Sequence, residues 1–567
     1  MNFEEIDSLE KLKSLRNEWN NILIKMNNDI PFLEFSWIEK WWEVFGFGFE
    51  MYVVALKDKS SYQAFLPLMK KRGFTKQTIY MIGQGQSNYM DIVVNPTMKN
   101  EALNKLVPYV IDRNRQAIFI WSGLLESSGT ADVLQLLLEN NGYDYSSTKT
   151  FSPYISFQEP DMPAFIKKRK KHHGVDRKEK RVKKLADISI RRIEEEHLDD
   201  MFSLHKKRWN LKWDTSYFSE EPGRTFFKKM AKLHGEALKP VSHGLFIEGR
   251  MIAFLFGFLC RGRYLFYLLG HDDDFGVFSP GKMIFNSSIA EHFNNGAFIY
   301  DMTIGDEPYK REWKTADDYA HLYLFAGKGT NSLSYLLLKW KFRINAVLKQ
   351  YRPIILFKRN TLGKWRKLIS DRKLFVKVGK KKLRMLSHKI FFTERCFIYK
   401  KRLPDVKNDG QGSVIFPVAL KDLIKKKDFQ GENLRTAVTK LFKGEKGYSF
   451  KEDHNFQKVS WTSTQEMRLG EEGLKVKLNP HTAVINELST NGHIEGIEQS
   501  LSVENPELKE IYLVQHYRDS TVESFGYTLN RICRIRTIVG HTSIKNLINK
   551  NKTNRCIVEE TRYDVNH

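Results

Sequence analysis

Arg263-Tyr-Leu-Phe-Tyr-Leu-Leu-Gly270, a polar loop over His271–Phe278, Ser279-Pro-Gly-Lys282, and then Asp301-Met-Thr-Ile-Gly305-Asp-Glu-Pro-Tyr309-Lys310-Arg-Glu-Trp313-Lys314 form the stretch that decides the fold. The first run is apolar and aromatic, the pattern of a buried strand. Ser279 at a cap and Pro280 at the first helical position suit a helix start. From Lys282 to Phe293 apolar residues recur at helical spacing (Met283, Ile284, Ile289, Ala290, Phe293), and Asn294-Asn295-Gly296 stops the helix. Ala297–Tyr300 then begins a second strand. The order is strand, turn, helix, strand. A helix N-terminus placed there exposes unpaired N–H groups and the positive end of the helix dipole, which can hold a phosphate or pyrophosphate.

Composition narrows the class. At 567 residues the chain exceeds one ordinary core, and 41% hydrophobic with 13% aromatic content fits folded domains. Cys260, Cys396, Cys533 and Cys556 are scattered without metal-ligand or disulfide spacing, as expected of a reduced, cytosolic protein. The acidic N-terminus lacks the apolar core of a signal peptide, and no apolar run approaches the ~20 residues of a membrane span. A soluble cytoplasmic protein is expected, with a peripheral place at the inner membrane face as the variant reading. The net charge of +25 is uneven: residues 331–402 hold 22 Lys/Arg against Asp371 and Glu394, and residues 167–184 hold 11 against Asp176 and Glu179. Such blocks attract an anionic partner, whether phosphate cofactor, nucleic acid, membrane or acidic polymer.

In chain order, helical periodicity covers Leu9–Asn28 and Trp37–Phe45, and strands are expected over Met51–Leu56 and Tyr62–Met69. Pro67 in the latter suggests an edge or a bulge. Thr78–Ile82, Asp91–Val94 and Ala117–Trp121 read as strands and Glu101–Asp112 as a helix. The loop Gly83-Gln-Gly-Gln-Ser-Asn-Tyr89 is a turn by composition. Residues 162–184 are a basic, helix-rich connector, read either as a solvated face or as presenting Lys167, Arg169 and Arg177 to an anion. Glu194–Trp209 is helical; its His205 is a packed histidine or a base. Glu248-Gly249-Arg250 signals a tight hairpin. Residues 331–402 interleave cations with Trp340, Phe342, Tyr351, Phe357, Trp365, Phe375 and Phe391, suiting a helical linker, a membrane surface or nucleic acid. After 405–412, strands are expected at Lys458–Glu466, Leu474–Leu478, His481–Leu488 and Glu510–Gln515, and a helix at Ser520–Leu529.

S-P-G-K-M-I (279–284) followed by G-A-F-I-Y-D-M-T-I-G-D-E-P-Y-K-R-E-W-K (296–314) resembles the GNAT superfamily of acetyltransferases. The resemblance is to its CelD-like branch, associated with cellulose and exopolysaccharide synthesis and related to the Fem aminoacyl transferases. It implies an α/β (α+β) fold of tandem GNAT-like mixed sheets flanked by helices. The divisions are a first half (1–155), a catalytic half with an acyl-CoA site (156–330), a basic aromatic-rich helical connector (331–404) and a further, degenerate GNAT-like domain (405–567). In that last domain Asn491-Gly-His-Ile-Glu-Gly496 lacks the superfamily's basic residue and paired glycines, and Glu495 and Glu498 would repel a pyrophosphate.

A GNAT needs amides for the pyrophosphate, a strand edge for the pantetheine and a group to take the acceptor's proton in one ternary complex. The resemblance puts Ser279, Pro280, Gly281 and Lys282 at the pyrophosphate turn; the alternative is an ordinary Pro-Gly helix cap. It assigns proton transfer to Asp301, although a carboxylate at a strand end is as readily a structural cap. Tyr309 is assigned to protonate the leaving thiolate or orient the substrate, and Lys310 to bind an anionic group or the carbonyl oxygen. Glu307 and His271 stand in reserve, and no metal is expected. The implied activity is N- or O-acyl transfer from acetyl-CoA or another acyl-CoA to an amino sugar, polysaccharide precursor or similar small-molecule acceptor. Two rivals stay open: a Fem-like transferase using charged tRNA, and a scaffold of GNAT folds at a membrane surface.

Overall fold

The structure is a computed structural model that describes residues 1–59, 61–73, 77–172, 174–211, 216–233, 237–327, 333–350, 391–403, 415–425, 434–450, 459–469, 474–488, 494–538 and 541–549. The chain begins β1 (Asn2–Ile6), α1 (Leu9–Ser14), α2 (Arg16–Lys25), α3 (Phe35–Phe45), β2 (Glu50–Asp58), β3 (Ser61–Arg72), β4 (Gln77–Met81) and β5 (Val93–Val94). Then come α4 (Lys99–Arg113), β6 (Ile118–Leu125), α5 (Thr130–Asn140), β7 (Asp144–Ser156), α6 (Met162–His172), α7 (Val175–Lys183), β8 (Ile188–Arg192), α8 (Leu198–Leu211) and α9 (Glu221–Ala231). The site region follows with β9 (Leu238–Pro240), β10 (His243–Ile247), β11 (Arg250–Cys260), β12 (Arg263–His271), α10 (Pro280–Asn294), β13 (Ile299–Asp301), α11 (Pro308–Trp313), β14 (Ala316–Ala326) and α12 (Leu333–Gln350). The chain divides into two units: 1–177 with 189–272 and 279–364, and 178–188 with 273–278 and 365–567.

The first unit is built on one mixed sheet, ordered β1-β2-β3-β4-β6-β14-β7-β13-β12-β11-β10-β8, with β5 on β3 and β9 on β11. The halves expected at 1–155 and 156–330 therefore share a sheet. β14, from the second half, lies antiparallel between β6 and β7, both from the first, and pairs with β7 along its whole length (Ala316↔Tyr154 to Ala326↔Asp144). Each unpaired edge would leave a row of unsatisfied N–H and C=O groups, and the exchange removes two such edges. Aromatics from both halves meet in the core: Trp19, Phe32, Phe35, Trp37 and Trp41 from the first half pack with Phe226, Phe227, Phe256 and Phe258 from the second. Trp37 meets Phe226 and Phe258 edge to face at 5.1 and 5.5 Å, an arrangement suited to the ring quadrupoles.

Pro67 is neither at an outer edge nor in a bulge. β3 is interior, and Val53 pairs with Pro67. The Pro67 carbonyl accepts from the Ile82 N–H (2.9 Å), so its ring nitrogen points to the same side, at the seam where β3 changes partner from β5 to β4. A missing donor costs little there. The hairpin at Glu248-Gly249 forms as expected, both residues at positive φ (49° and 79°) and Ile247 paired with Arg250. A second one joins β11 to β12 through Arg261 and Gly262 (φ 40° and 88°). Two positive φ values match the twist of the flanking strands.

The second unit has an eight-stranded sheet. Its strands are β15 (Phe391–Arg402), β16 (Ile415–Val418), β17 (Lys446–Phe450), β18 (Ser460–Ser463), β21 (Thr482–Glu487), β22 (Glu510–Gln515), β23 (Thr528–Ile538) and β24 (His541–Asn549), while β19 (Glu466–Leu469) and β20 (Leu474–Lys477) form a separate hairpin. β21 and β22 are parallel, joined through the helix Ile494–Glu504. Two expectations change here. The end of the supposed helical connector is the strand β15, held between β22 and β23; among the described residues its helical part is α12, and residues 351–390 lie outside those described. The helix expected at Ser520–Leu529 is only Thr521–Ser524, because Gly526 turns the chain at φ 82°.

Candidate active site

β12 pairs with β11 along its length, Cys260↔Arg263 to Ala253↔His271. Its parallel pairing with β13 covers only Arg263, Tyr264 and Leu265. After Asp301 the chain follows β7 instead: Met302 N–H donates to the Pro153 carbonyl (3.2 Å) and Gly305 N–H to the Phe151 carbonyl (2.9 Å). The two parallel strands thus splay apart, and β12 from Phe266 to His271 has no β13 partner on that side. An open strand edge offers peptide groups to an amide-bearing ligand.

α10 starts beside the end of β12. Ser279 takes a left-handed conformation (φ 60°, ψ 51°) and Pro280 occupies the first turn. A Cβ on Gly281 would lie 2.9 Å from His271 Cδ2, so glycine lets the helix start press against the strand end. Lys282 and Met283 N–H both donate to the Ser279 carbonyl (3.0 and 3.1 Å). The exposed Lys282 side chain and the dipole of a fifteen-residue helix remain as positive potential. Asp272, next to this turn, is buried and matched by Lys207 (2.6 Å) and Arg250 (3.0 Å), so its charge is compensated locally. These residues fit an anionic ligand.

The Asp-x-x-x-Gly-x-x-x-Tyr-Lys pattern has a structural explanation. Asp301 is buried and its oxygens accept from Tyr89 OH (2.8 Å), Thr303 N–H (2.7 Å) and Arg263 Nη1 (2.8 Å). Arg263 also pairs with Asp29 (3.0 Å), and Tyr89 shares a hydrogen bond with Ser152 (2.6 Å). The network therefore joins Asp29, Tyr89 and Ser152 of the first half to β12 and β13. Lys310 is buried and directs its ammonium to the carbonyls of Ile304 (2.8 Å) and Thr303 (3.3 Å) and to Glu307 (3.2 Å). Burial lowers its pKa, against the opposing pull of Glu307. A Cβ on Gly305 (φ 132°) would meet Glu307 Oε2 at 2.5 Å and Lys310 Nζ at 3.0 Å. Tyr309 projects differently: its ring meets Phe285 edge to face at 5.3 Å. Burial pushes its pKa up, Glu307 adds to the shift and Arg208 opposes it, so the hydroxyl keeps its proton at neutral pH.

Other expected residues fall outside this group. His205 is buried, with Nδ1 on Ser216 Oγ (2.8 Å) and its ring edge-on to Phe218 (4.9 Å), the packed reading. Lys167 and Arg177 are exposed, and Arg169 lies over the Phe165 ring at 5.2 Å. In the Gly83–Tyr89 loop, Trp37 donates to Ser87 (2.9 Å), Trp41 to the Gln86 side chain (2.6 Å) and Tyr267 of β12 to the Gln86 carbonyl (2.5 Å). Arg263 was absent from the expected site, though a cation opening an apolar aromatic strand is a readable signal. In the second unit Glu498 is paired with Lys401 (2.7 Å), and burial raises its pKa. Glu394, Cys396 and His516 bring donor atoms within 4.8 Å of one another there, a grouping that sequence spacing does not show.

Residues 169–311 match the model of a family described as an acetyltransferase (GNAT) domain. No curated protein matches the chain in sequence. Among solved structures, a conserved protein of unknown function from Bacteroides thetaiotaomicron is 14% identical with a TM-score of 0.37, covering 57% of this chain and 100% of that one. FemX is 12% identical with a TM-score of 0.40, covering 56% and 97%. A tandem GNAT protein from the clavulanic acid pathway is 9% identical with a TM-score of 0.35, covering 58% and 100%. At these scores the neighbours carry no argument about function. The stretch from 169 to 311, which holds the α10 turn together with Asp301, Tyr309 and Lys310, is thus similar to a GNAT acetyltransferase domain.

Proposed function

We propose that the protein transfers an acyl group, most simply acetyl, from acyl-CoA to an amine or hydroxyl of an amino sugar or polysaccharide precursor. The observation that supports this reading is the splay of β12 from β13 with the α10 turn beside its open edge. Gly281 and Lys282 would hold the pyrophosphate, and the free edge of β12 the pantetheine amides. The thioester of bound acyl-CoA supplies the activated acyl group. As the acceptor's nitrogen or oxygen bonds to the acyl carbon and the C–S bond breaks, the sulfur would leave as the CoA thiol, carrying the proton the acceptor gives up. Tyr309, kept protonated by burial, would donate a hydrogen bond to that sulfur. Asp301 and Lys310 we read as positioning residues. Their hydrogen bonds are already committed to Tyr89, Arg263, Thr303, Ile304 and Glu307, and they hold the loop that presents Tyr309.

Calorimetry with acetyl-CoA tests the reading. Wild type should bind on the order of micromolar, and Lys282→Glu should weaken binding roughly tenfold or more, since it puts a negative charge at the pyrophosphate. Lys282 is exposed, so its melting temperature should not move. Gly281→Trp should abolish binding by filling the space against His271. A wild type that binds no CoA would refute the proposal.

A further inference from the structure

α12 is apolar on two opposite sides. One side seats it on the first unit's sheet: Tyr335, Leu338 and Phe342 pack against Ile118, Leu324 and Ala326, and Tyr335 OH donates to the Asp144 carbonyl (3.0 Å). The opposite side carries Leu333, Leu336, Leu337 and Trp340, spaced i, i+3, i+4 and i+7, which are 73%, 55%, 56% and 67% exposed. At 100° per residue these four fall on one stripe, about half a turn from the buried side. With Ile344, half-exposed, the stripe is roughly 16 Å long. Exposed Lys341 borders it on one side and exposed Arg343 on the other. α12 has no acidic residue, and the sequence from 331 to 402 carries 22 Lys/Arg against two acids.

Only the inner of the two apolar sides is packed, and the outer stripe between its cations has the makeup of an amphipathic binding face. We propose that the occupant of this outer face is an anionic lipid surface. Leucine and tryptophan side chains insert below the headgroups, while flanking lysine and arginine reach back to lipid phosphates; a basic amphipathic helix binds an interface this way. The charge chooses among partners. A neutral apolar protein groove would gain nothing from a +20 segment, and nucleic acid would reward the cations but not three exposed leucines. α12 is anchored by its inner side, so the outer stripe is presented on a rigid element. Attachment of this kind holds whether or not the α10 turn takes acyl-CoA.

Co-sedimentation of the full chain with vesicles tests it, using phosphatidylcholine alone and phosphatidylcholine with about one-third phosphatidylglycerol. The anionic vesicles should be bound far more tightly than the neutral ones, with binding falling as salt rises. Leu337→Glu with Trp340→Glu should lower the partition coefficient by roughly tenfold or more. The melting temperature should stay put because both side chains are exposed, and Trp340→Phe should retain binding. Absent wild-type binding to anionic vesicles, equal binding to both vesicle types, or wild-type binding by the double variant would each overturn the proposal. So would capture of a single-stranded RNA without capture of vesicles.

Discussion

Acid should loosen the α10 seat through His292. This residue lies in the last turn of α10, 3% exposed, with its ring stacked on Tyr264 at a centroid distance of 3.5 Å and Nε2 buried without a hydrogen-bond partner. Burial lowers its pKa from 6.5 to about 4; His243 and Arg192 push the same way and Glu291 opposes. Between those values the unfolded chain binds a proton that the folded chain refuses. The folded pKa is the depressed one, so the contribution is fully present above about pH 6.5 and lost as pH falls toward about 4. The difference corresponds to about 3 kcal/mol when complete. His292→Phe keeps an aromatic ring on Tyr264 and removes the titration. Guanidinium chloride titrations of both proteins at about pH 7.5 and about pH 4.5 supply the test, and subtracting one protein from the other cancels the carboxylates common to both. Wild type should lose more stability than the variant, by up to about 3 kcal/mol. Equal losses would refute the reasoning.

Two further substitutions probe the network behind the site. Arg263→Met leaves Asp301 buried without its cation and Asp29 without its partner, so denaturant titration should show a loss of about 3–5 kcal/mol. A loss under about 1 kcal/mol would mean that solvent already compensates these carboxylates. Asp301→Asn separates positioning from proton transfer. As a positioning residue, it should lose stability and turnover together, with acetyl-CoA affinity falling as the loop shifts. Wild-type stability with a drop in kcat of roughly a hundredfold or more would return Asp301 to the role of base.

The most legible part of this chain was local. Ser279-Pro280-Gly281 read as a helix start and is one, because a proline at the first turn and a glycine in close approach act within a few residues. Glu248-Gly249 read as a hairpin for the same reason. The places of β7 and β14 in the sheet were not legible. β7 is rich in Ser and Thr and carries Pro153; β14 opens on Ala316-Asp-Asp. β7 shows neither alternation nor an apolar run, and β14 shows an apolar run only over Leu322–Ala326; their pairing is set by partners distant in sequence. The part of the sheet that joins the two halves was therefore invisible until the chain folded.

The site divides along the same line. Sequence alone determined which residues crowd into 279–310 and that a helix starts between two strands, since spacing and turn chemistry are properties of neighbours. Only the tertiary structure decided what Asp301 and Lys310 do. Asp301 meets Tyr89, more than two hundred residues earlier in the chain, and Arg263 at the start of β12. Lys310 turns inward onto backbone carbonyls. A carboxylate's role depends on which donors surround it in space, and the order of residues along a chain does not contain those distances.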